Sequence, residues 1–260
     1  MNSHVYKGKV RDVYNYKKDE LKIVASDRVS SFDKYICDMP GKGEIITNIS
    51  EFWFNCTKHI IPNHMISSSG NSMIVKKCDV IPLEIVVRGY ITGNTRTSLW
   101  THYERGERKY CGIIFPDGLN KNQKLSQPVI TPTTKGYVDE PISKEDIVNR
   151  GILTEMERDY IYKKSLELFN YGKKMSLYSG FILVDTKYEF GRSKNGDIIL
   201  IDELHTCDSS RFWIANTYEY NYTNSKEPDK LDKDCIRDWV KLNCDPYNDL
   251  IPTVPYELIE

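Results

Sequence analysis

The chain has 260 residues, with 36 Lys+Arg against 37 Asp+Glu, a formal net charge of −1, and 40% hydrophobic and 28% charged residues. The apolar share is too high for a disordered chain, and the length suffices for one large domain or two lobes around a sizeable core. The charge balance argues against a chain-wide basic surface for nucleic acid, and no run approaches the roughly 18 apolar residues of a membrane span.

The opening MNSHVYKGKV lacks the apolar stretch of a signal peptide, so a cytoplasmic protein is expected. Seven cysteines, odd in number and without a C-x-x-C pair, point to reduced thiols, most of them buried as small hydrophobes. The five histidines show no metal-ligand spacing and read as surface or structural groups.

In chain order, Lys9–Tyr16 and Leu21–Ser26 read as antiparallel strands around a polar turn, followed by a loop over residues 27–33. Ile46, Ile49, Trp53, Cys56 and Ile60 recur at helical spacing. Residues 73–77 and 83–91 are β-rich runs joined by a turn at Asp79–Pro82, which makes residues 1–88 a sheet-dominated lobe and 89–260 a second one. A short helix is expected over 98–104, loops and hairpins over 106–134, and a long helix from the capping box Thr154-Glu-Met-Glu157 to Tyr178, stopped at Ser179-Gly180. Strands 181–190 and 198–202 flank Asn195-Gly196, a strong hairpin signal, and a last helix covers 233–241.

The hairpin carries the most informative chemistry. Strand period two places Asp185, Lys187 and Glu189 on one face. With a two-residue turn at Asn195-Gly196, Glu189 falls opposite Asp202, and two facing carboxylates call for a bridging cation such as Mg²⁺. A solvated hairpin face neutralised by Lys187 is the alternative, and a one-residue slip would undo the pairing. Asp208-Ser-Ser-Arg211 suits a ribose or phosphate, or simply a helix cap. Lys9 and Arg11 beside Gly8 suit a triphosphate, or a charged edge strand. Arg88-Gly-Tyr-Ile-Thr-Gly-Asn94 and Pro132-Thr-Thr-Lys135 suit anions but also plain loops. No Walker loop and no G-x-G-x-x-G occurs.

Taken together, six segments in order resemble the phosphoribosylaminoimidazole-succinocarboxamide synthase (SAICAR synthetase) family: Gly8–Asp12, Ser26–Asp33, Leu83–Tyr90, Pro132–Lys135, Asp185–Gly191, and Asp202-Glu203 with Asp208–Trp213. The resemblance implies an α+β, two-lobed fold related to ATP-grasp and kinase-like architectures, with an antiparallel amino-terminal sheet lobe and a larger mixed carboxy-terminal lobe. It implies a ligase of purine biosynthesis that joins L-aspartate to carboxyaminoimidazole ribonucleotide (CAIR) at the expense of ATP, through an acyl phosphate.

By position, the resemblance puts Lys9, Arg11, Glu84 and Asp27 at ATP and makes Glu189 and Asp202 ligands of Mg²⁺. It sets Lys187 beside the transferred phosphoryl group, and Arg88, Asn94, Asp208, Arg211, Ser30 and Lys135 near the ribonucleotide or the acceptor amino acid. Two departures stand out: Asn94 replaces an expected Ser, and Cys207 an expected Pro. A kinase-like phosphotransferase would need an H-R-D base, which is absent, and a non-catalytic nucleotide sensor would have little use for the retained carboxylates. Small-molecule substrates are expected, without nucleic acid or membrane, and homo-oligomerisation is left open. The cleft is expected to be cationic before any metal binds.

Overall fold

A computed structural model describes residues 4–136 and 139–259. The amino-terminal part is antiparallel: β1 (His4–Lys7), β2 (Arg11–Lys17) and β3 (Glu20–Ala25) are joined by turns. β4 (Arg28–Ser31) and β5 (Lys34–Asp38) form a separate hairpin where a loop was expected; its reversal uses Phe32 and Asp33, both at left-handed φ (53° and 61°). Helix α1 (Lys42–Thr57) follows, burying Ile46, Trp53 and Phe54. β6 (Met65–Ser69) and β7 (Ser72–Lys76) then complete a five-stranded sheet in the order β1-β2-β3-β7-β6.

A seven-stranded sheet is built on two long central strands. After the two-residue β8 (Asp79–Val80) comes β9 (Leu83–Ile91), then α2 (Leu99–Glu104), the small hairpin β10 (Lys109–Tyr110) and β11 (Ile113–Ile114), β12 (Gln123–Ile130) and β13 (Thr133–Thr134). The helices α3 (Lys144–Asn149) and α4 (Glu155–Tyr178) precede β14 (Phe181–Arg192), β15 (Ile198–Ile201) and β16 (Ser210–Ile214). The chain then forms α5 (Ala215–Thr223) and α6 (Asp234–Asn243). The sheet order is β12-β9-β14-β15, with β13 on β9 and both β8 and β16 on β14.

Helix α4 begins where the capping box predicts: Thr154 accepts from Glu157 N–H, and the Glu157 carboxylate accepts from Thr154 N–H at 2.8 Å. It packs Ile161, Leu168 and Phe169 on the sheet, and the main core continues through Leu183, Tyr188, Phe190 and Leu200 to Trp53 and Phe54 of α1. Gly172 lets α4 approach. A Cβ there would lie 2.8 Å from His205 Nδ1 and 2.9 Å from Leu183 Cδ2.

The His205 ring cannot yield, because its Nε2 is 2.6 Å from Tyr188 Oη and the ring packs edge-on against Trp53 at 4.7 Å. Burial holds that imidazole neutral, with its pKa pushed down to about 3. Gly172→Ala is therefore expected to destabilise the fold by about 2 kcal/mol despite alanine's better helix propensity, since overpacking costs roughly 1–3 kcal/mol. Urea unfolding checks this; a variant as stable as wild type would mean that the ring has room to move.

The Asn-Gly hairpin differs from expectation by one residue. Glu189 pairs with Ile201 and Arg192 with Ile198, leaving a five-residue loop in which Gly196 takes φ +85°. Asn-Gly is used as a turn followed by a glycine bulge, which adds a residue to the connection and slips the register. The thiols differ too: all seven are unpaired, but only Cys37 is buried and Cys235 is exposed. Among the described residues, no helix is long and apolar enough to cross a membrane.

Candidate active site

A cavity of about 960 Å³ opens between the five-stranded sheet and the concave face of β9, β14 and β15. Alternation along β14 sets it up. Val184, Tyr188 and Phe190 turn into apolar cores, while Asp185, Lys187 and Glu189 line the cavity. The charged face is not a solvated rim: Asp185 and Glu189 are each 4% exposed.

At one end, Lys187 Nζ donates to Glu84 Oε1 at 3.0 Å and to Glu189 Oε1 at 2.8 Å, and lies 3.9 Å from Asp202 Oδ2. Lys135 caps the other Glu189 oxygen. Asp202 does not sit opposite Glu189 in the ladder. It follows the last residue of β15 with φ +66°, and this turn of the backbone brings its carboxylate back to the Lys187 end of the cavity.

The two carboxylates respond differently. Burial works to raise Glu189, but Lys187 and Lys135 outweigh it and hold the group at about 2. Asp202 has no cation within hydrogen-bond distance; burial first, and then the Glu189 charge, push it up to about 6. An under-compensated carboxylate beside an ionised one suits a divalent cation. Mg²⁺ commonly takes one or two protein carboxylates and completes its shell with water and phosphate oxygens. Two carboxylates that could serve in this way, Glu189 and Asp202, are present, and no group of three or more candidate metal ligands occurs among the described residues.

Beside this end, Arg11 makes a two-pronged pair with Glu203, both bonds at 2.7 Å, and Lys9 reaches across the mouth to Asp33. Leu21, Ile23, Val75, Val86 and Ile201 give that part of the cavity an apolar lining.

At the other end, Asp185 Oδ2 accepts from Arg88 at 3.3 Å and from Arg211 at 2.7 Å, while Arg211 Nε donates to Asp234 at 2.6 Å. Arg88 is oriented further by Thr131 at 2.8 Å. Asp208 accepts from Lys42 at 2.6 Å. The Ser30 hydroxyl faces the cavity while donating to Lys34 O at 3.1 Å.

Two expected site residues lie elsewhere. Asp27 accepts from the Gly43 and Gly41 N–H groups at 2.9 and 3.2 Å, holding the start of α1 rather than lining the cavity. Asn94 donates to Asp238 at 2.8 Å and does not line it either. Conversely, Glu203, Lys233, Arg237 and Lys42 belong to the site's charge network without having been picked out as site residues. Burial and neighbouring Arg237 lower Lys233 to about 8. Counted among the described residues, nine basic and eight acidic side chains line the cavity, so it is balanced and not the cationic cleft expected.

Against known proteins, residues 4–254 match the family model described as SAICAR synthetase. The chain is 50% identical over 257 residues to phosphoribosylaminoimidazole-succinocarboxamide synthase of Legionella pneumophila (strain Lens), covering 98% of this chain and 82% of that one. It is also 50% identical over 256 residues to the chloroplastic synthase of Arabidopsis thaliana, covering 97% of this chain and 62% of that one. Among solved structures, SAICAR synthase from Saccharomyces cerevisiae complexed with SAICAR superposes with a TM-score of 0.81 at 30% identity, covering 99% of this chain and 90% of that one. A SAICAR synthetase in complex with ADP gives 0.73 at 27% identity, covering 95% and 98%. The mixed α+β architecture agrees with these structures, and the chain belongs to the SAICAR synthetase family.

Proposed function

We propose that this cavity joins L-aspartate to CAIR with conversion of ATP to ADP and phosphate, as a cytoplasmic ligase of purine biosynthesis. The observation that carries the reading is Lys187, an ammonium held between Glu84 and Glu189 with Asp202 nearby, two residues along β14 from a separate arginine pair on Asp185. One end is built for a phosphoryl group and a cation, the other for a second anionic substrate. Family membership supplies the substrates, and seven unpaired cysteines agree with a reducing compartment.

A carboxylate is a poor electrophile and must be activated before an amine can form an amide. In the proposed sequence, a CAIR carboxylate oxygen attacks the γ-phosphorus, the bond to the ADP oxygen breaks, and an acyl phosphate forms. The aspartate nitrogen then attacks the carbonyl carbon, a proton leaves the nitrogen, and phosphate departs.

Lys187 meets the negative charge of the transferred group, where positioned electrostatics carry most of the catalysis. Arg11 and Lys9 lie at the mouth for ATP phosphates, and the apolar lining with Glu84 takes the base under the amino-terminal sheet lobe, residues 1–88. Arg211 and Asp208, in the lobe of residues 89–260, and Arg88, at the boundary within β9, hold the ribonucleotide, with Ser30 and Lys135 at its edge. Glu189 and Asp202 would hold Mg²⁺, which neutralises phosphate charge when bound.

The test incubates purified protein with ATP, Mg²⁺ and CAIR, with and without L-aspartate, and follows ADP release and amide formation together. Aspartate-dependent product is the expected result. ADP release with no aspartate-dependent amide, across several metals and pH values, would refute the ligase reading.

A further inference from the structure

Arg28, on β4, is not among the residues that line the cavity, yet it holds the turn between β1 and β2, where Gly8, Lys9, Val10 and Arg11 all do. β1 is exposed along its whole length, so the turn has little apolar packing to fix it. Polar contacts fix it instead. Ser26 N–H and Ser26 Oγ–H both donate to Val10 O, at 2.9 and 2.6 Å. The Arg28 guanidinium donates from Nε to Lys9 O and from Nη2 to Gly8 O, each at 3.2 Å. It braces on the carboxylate of Asp12, with Nη2 at 2.8 Å from Oδ1 and Nη1 at 3.4 Å from Oδ2.

This clasp decides where the amides of the turn point. A trans peptide directs its N–H opposite to its C=O, and no peptide bond here is cis. With the Gly8 and Lys9 carbonyls turned to Arg28, the N–H groups of Lys9 and Val10 point away from it. Neither has a hydrogen-bond partner among the described residues. Two successive backbone N–H groups beside a glycine, on a turn that lines the cavity and carries the side chains of Lys9 and Arg11, make a concavity suited to an anion.

We propose that Arg28 is a positioning residue for the nucleotide: by holding the carbonyls of Gly8 and Lys9 it aims the N–H groups of Lys9 and Val10 at the nucleotide phosphates. The proposal rests on the reading that places those phosphates under this turn. The ribonucleotide end depends on the backbone of Arg28 and not on its side chain, since Arg28 O accepts from Lys42 Nζ at 3.1 Å and Lys42 holds Asp208 at 2.6 Å. Substituting the side chain leaves that connection in place.

The test measures calorimetric affinities for ADP and, by displacement of ADP, for adenosine, all in EDTA, for wild type, Arg28→Gln, Arg28→Lys and Gly8→Ala. Thermal unfolding and the KM values for ATP and the ribonucleotide are followed alongside. Arg28→Gln is expected to bind ADP about tenfold more weakly, the scale of one hydrogen bond to a charged group, with its adenosine affinity within about twofold of wild type. Arg28→Lys should lose nearly as much, because an ammonium keeps the charge but cannot span two carbonyls and a carboxylate as the planar fork does. The KM for ATP should rise in step while that for the ribonucleotide stays.

An Arg28→Lys variant that binds ADP as wild type does would make long-range charge the cause and overturn the proposal. So would ADP and adenosine affinities that fall together, or KM values that rise together, which mark a general structural role. If Arg28→Gln does not fold, Arg28→Lys decides alone. Gly8→Ala separates this proposal from the reading beneath it, because a Cβ there would lie 2.6 Å from Arg11 O and must displace the turn. A loss of ADP affinity in Gly8→Ala with none in the Arg28 variants overturns the role of Arg28 alone. Unchanged ADP affinity in Gly8→Ala brings down the placement of the phosphates, and this proposal with it.

Discussion

Asp202→Asn is expected to lower kcat by about 10²–10³-fold, the scale on which one charge-stabilising group acts, while leaving the melting temperature unchanged or slightly raised. The second half follows from where the charge sits. Asp202 is half-buried beside Glu189 with both nearby cations at 3.9 Å, and burial together with that neighbour raises it to about 6. At pH 7.5 its ionised form is therefore a cost to the fold, and a neutral isostere removes the cost.

Glu189→Gln is expected to lose comparable activity but to destabilise, because Lys187 and Lys135 both give up their carboxylate. Steady-state kinetics and thermal unfolding of the two variants check the contrast. Activity within a few-fold of wild type in both would refute the metal assignment, and the opposite order of stabilities would refute this account of the pair.

Arg211→Met is expected to cost about 3 kcal/mol of stability, near the lower end of the range for breaking a buried ion pair. The guanidinium bridges Asp185 and Asp234 at 2.7 and 2.6 Å, holding β14 and α6 at one end of the cavity. The loss stays near the lower end because Arg88 and Arg237 remain to compensate the two carboxylates. Arg211→Lys should recover only part of it, since an ammonium lacks the planar fork that meets two carboxylates at once. Urea unfolding, with the KM for the ribonucleotide in parallel, measures both effects. A loss under 1 kcal/mol for Arg211→Met would show that the bridge contributes little to the fold.

Local signals were legible where local geometry decides the outcome. Helix Glu155–Tyr178 is written in Thr154 and Glu157 at one end and Ser179-Gly180 at the other, because capping is a matter of a few neighbouring atoms. The alternation of Asp185, Lys187 and Glu189 is equally local, and all three line the cavity, although Thr186 between the first two lines it as well. Register is not local. Asn195-Gly196 signals a hairpin but does not distinguish a two-residue turn from a longer loop with a glycine bulge, and one residue decides which groups face each other.

Glu189 and Asp202 meet for a reason different from the one expected, a left-handed residue after a strand rather than a cross-strand pair. Lys42 and Lys233 carry no local mark at all. Each is a single basic residue near a helix start, which ordinarily faces water, and only the packing of α1 and α6 around Asp208 turns them inward. Asp27 is the converse, an acidic residue within a matching motif whose carboxylate accepts from two backbone amides at the start of α1.

The near equality of charge lining the cavity has a consequence for turnover. Arg11, Lys187, Arg211 and Lys135 are already committed to carboxylates of the protein, so on the proposed reading an arriving phosphate or carboxylate takes over partners rather than finding them free. Each substrate contact is then worth only the difference between two ion pairs, one lost and one gained. Such a site works by partner exchange. Its donors are held in place before substrate arrives, and when product leaves, the internal carboxylates reclaim them, which favours release as much as capture.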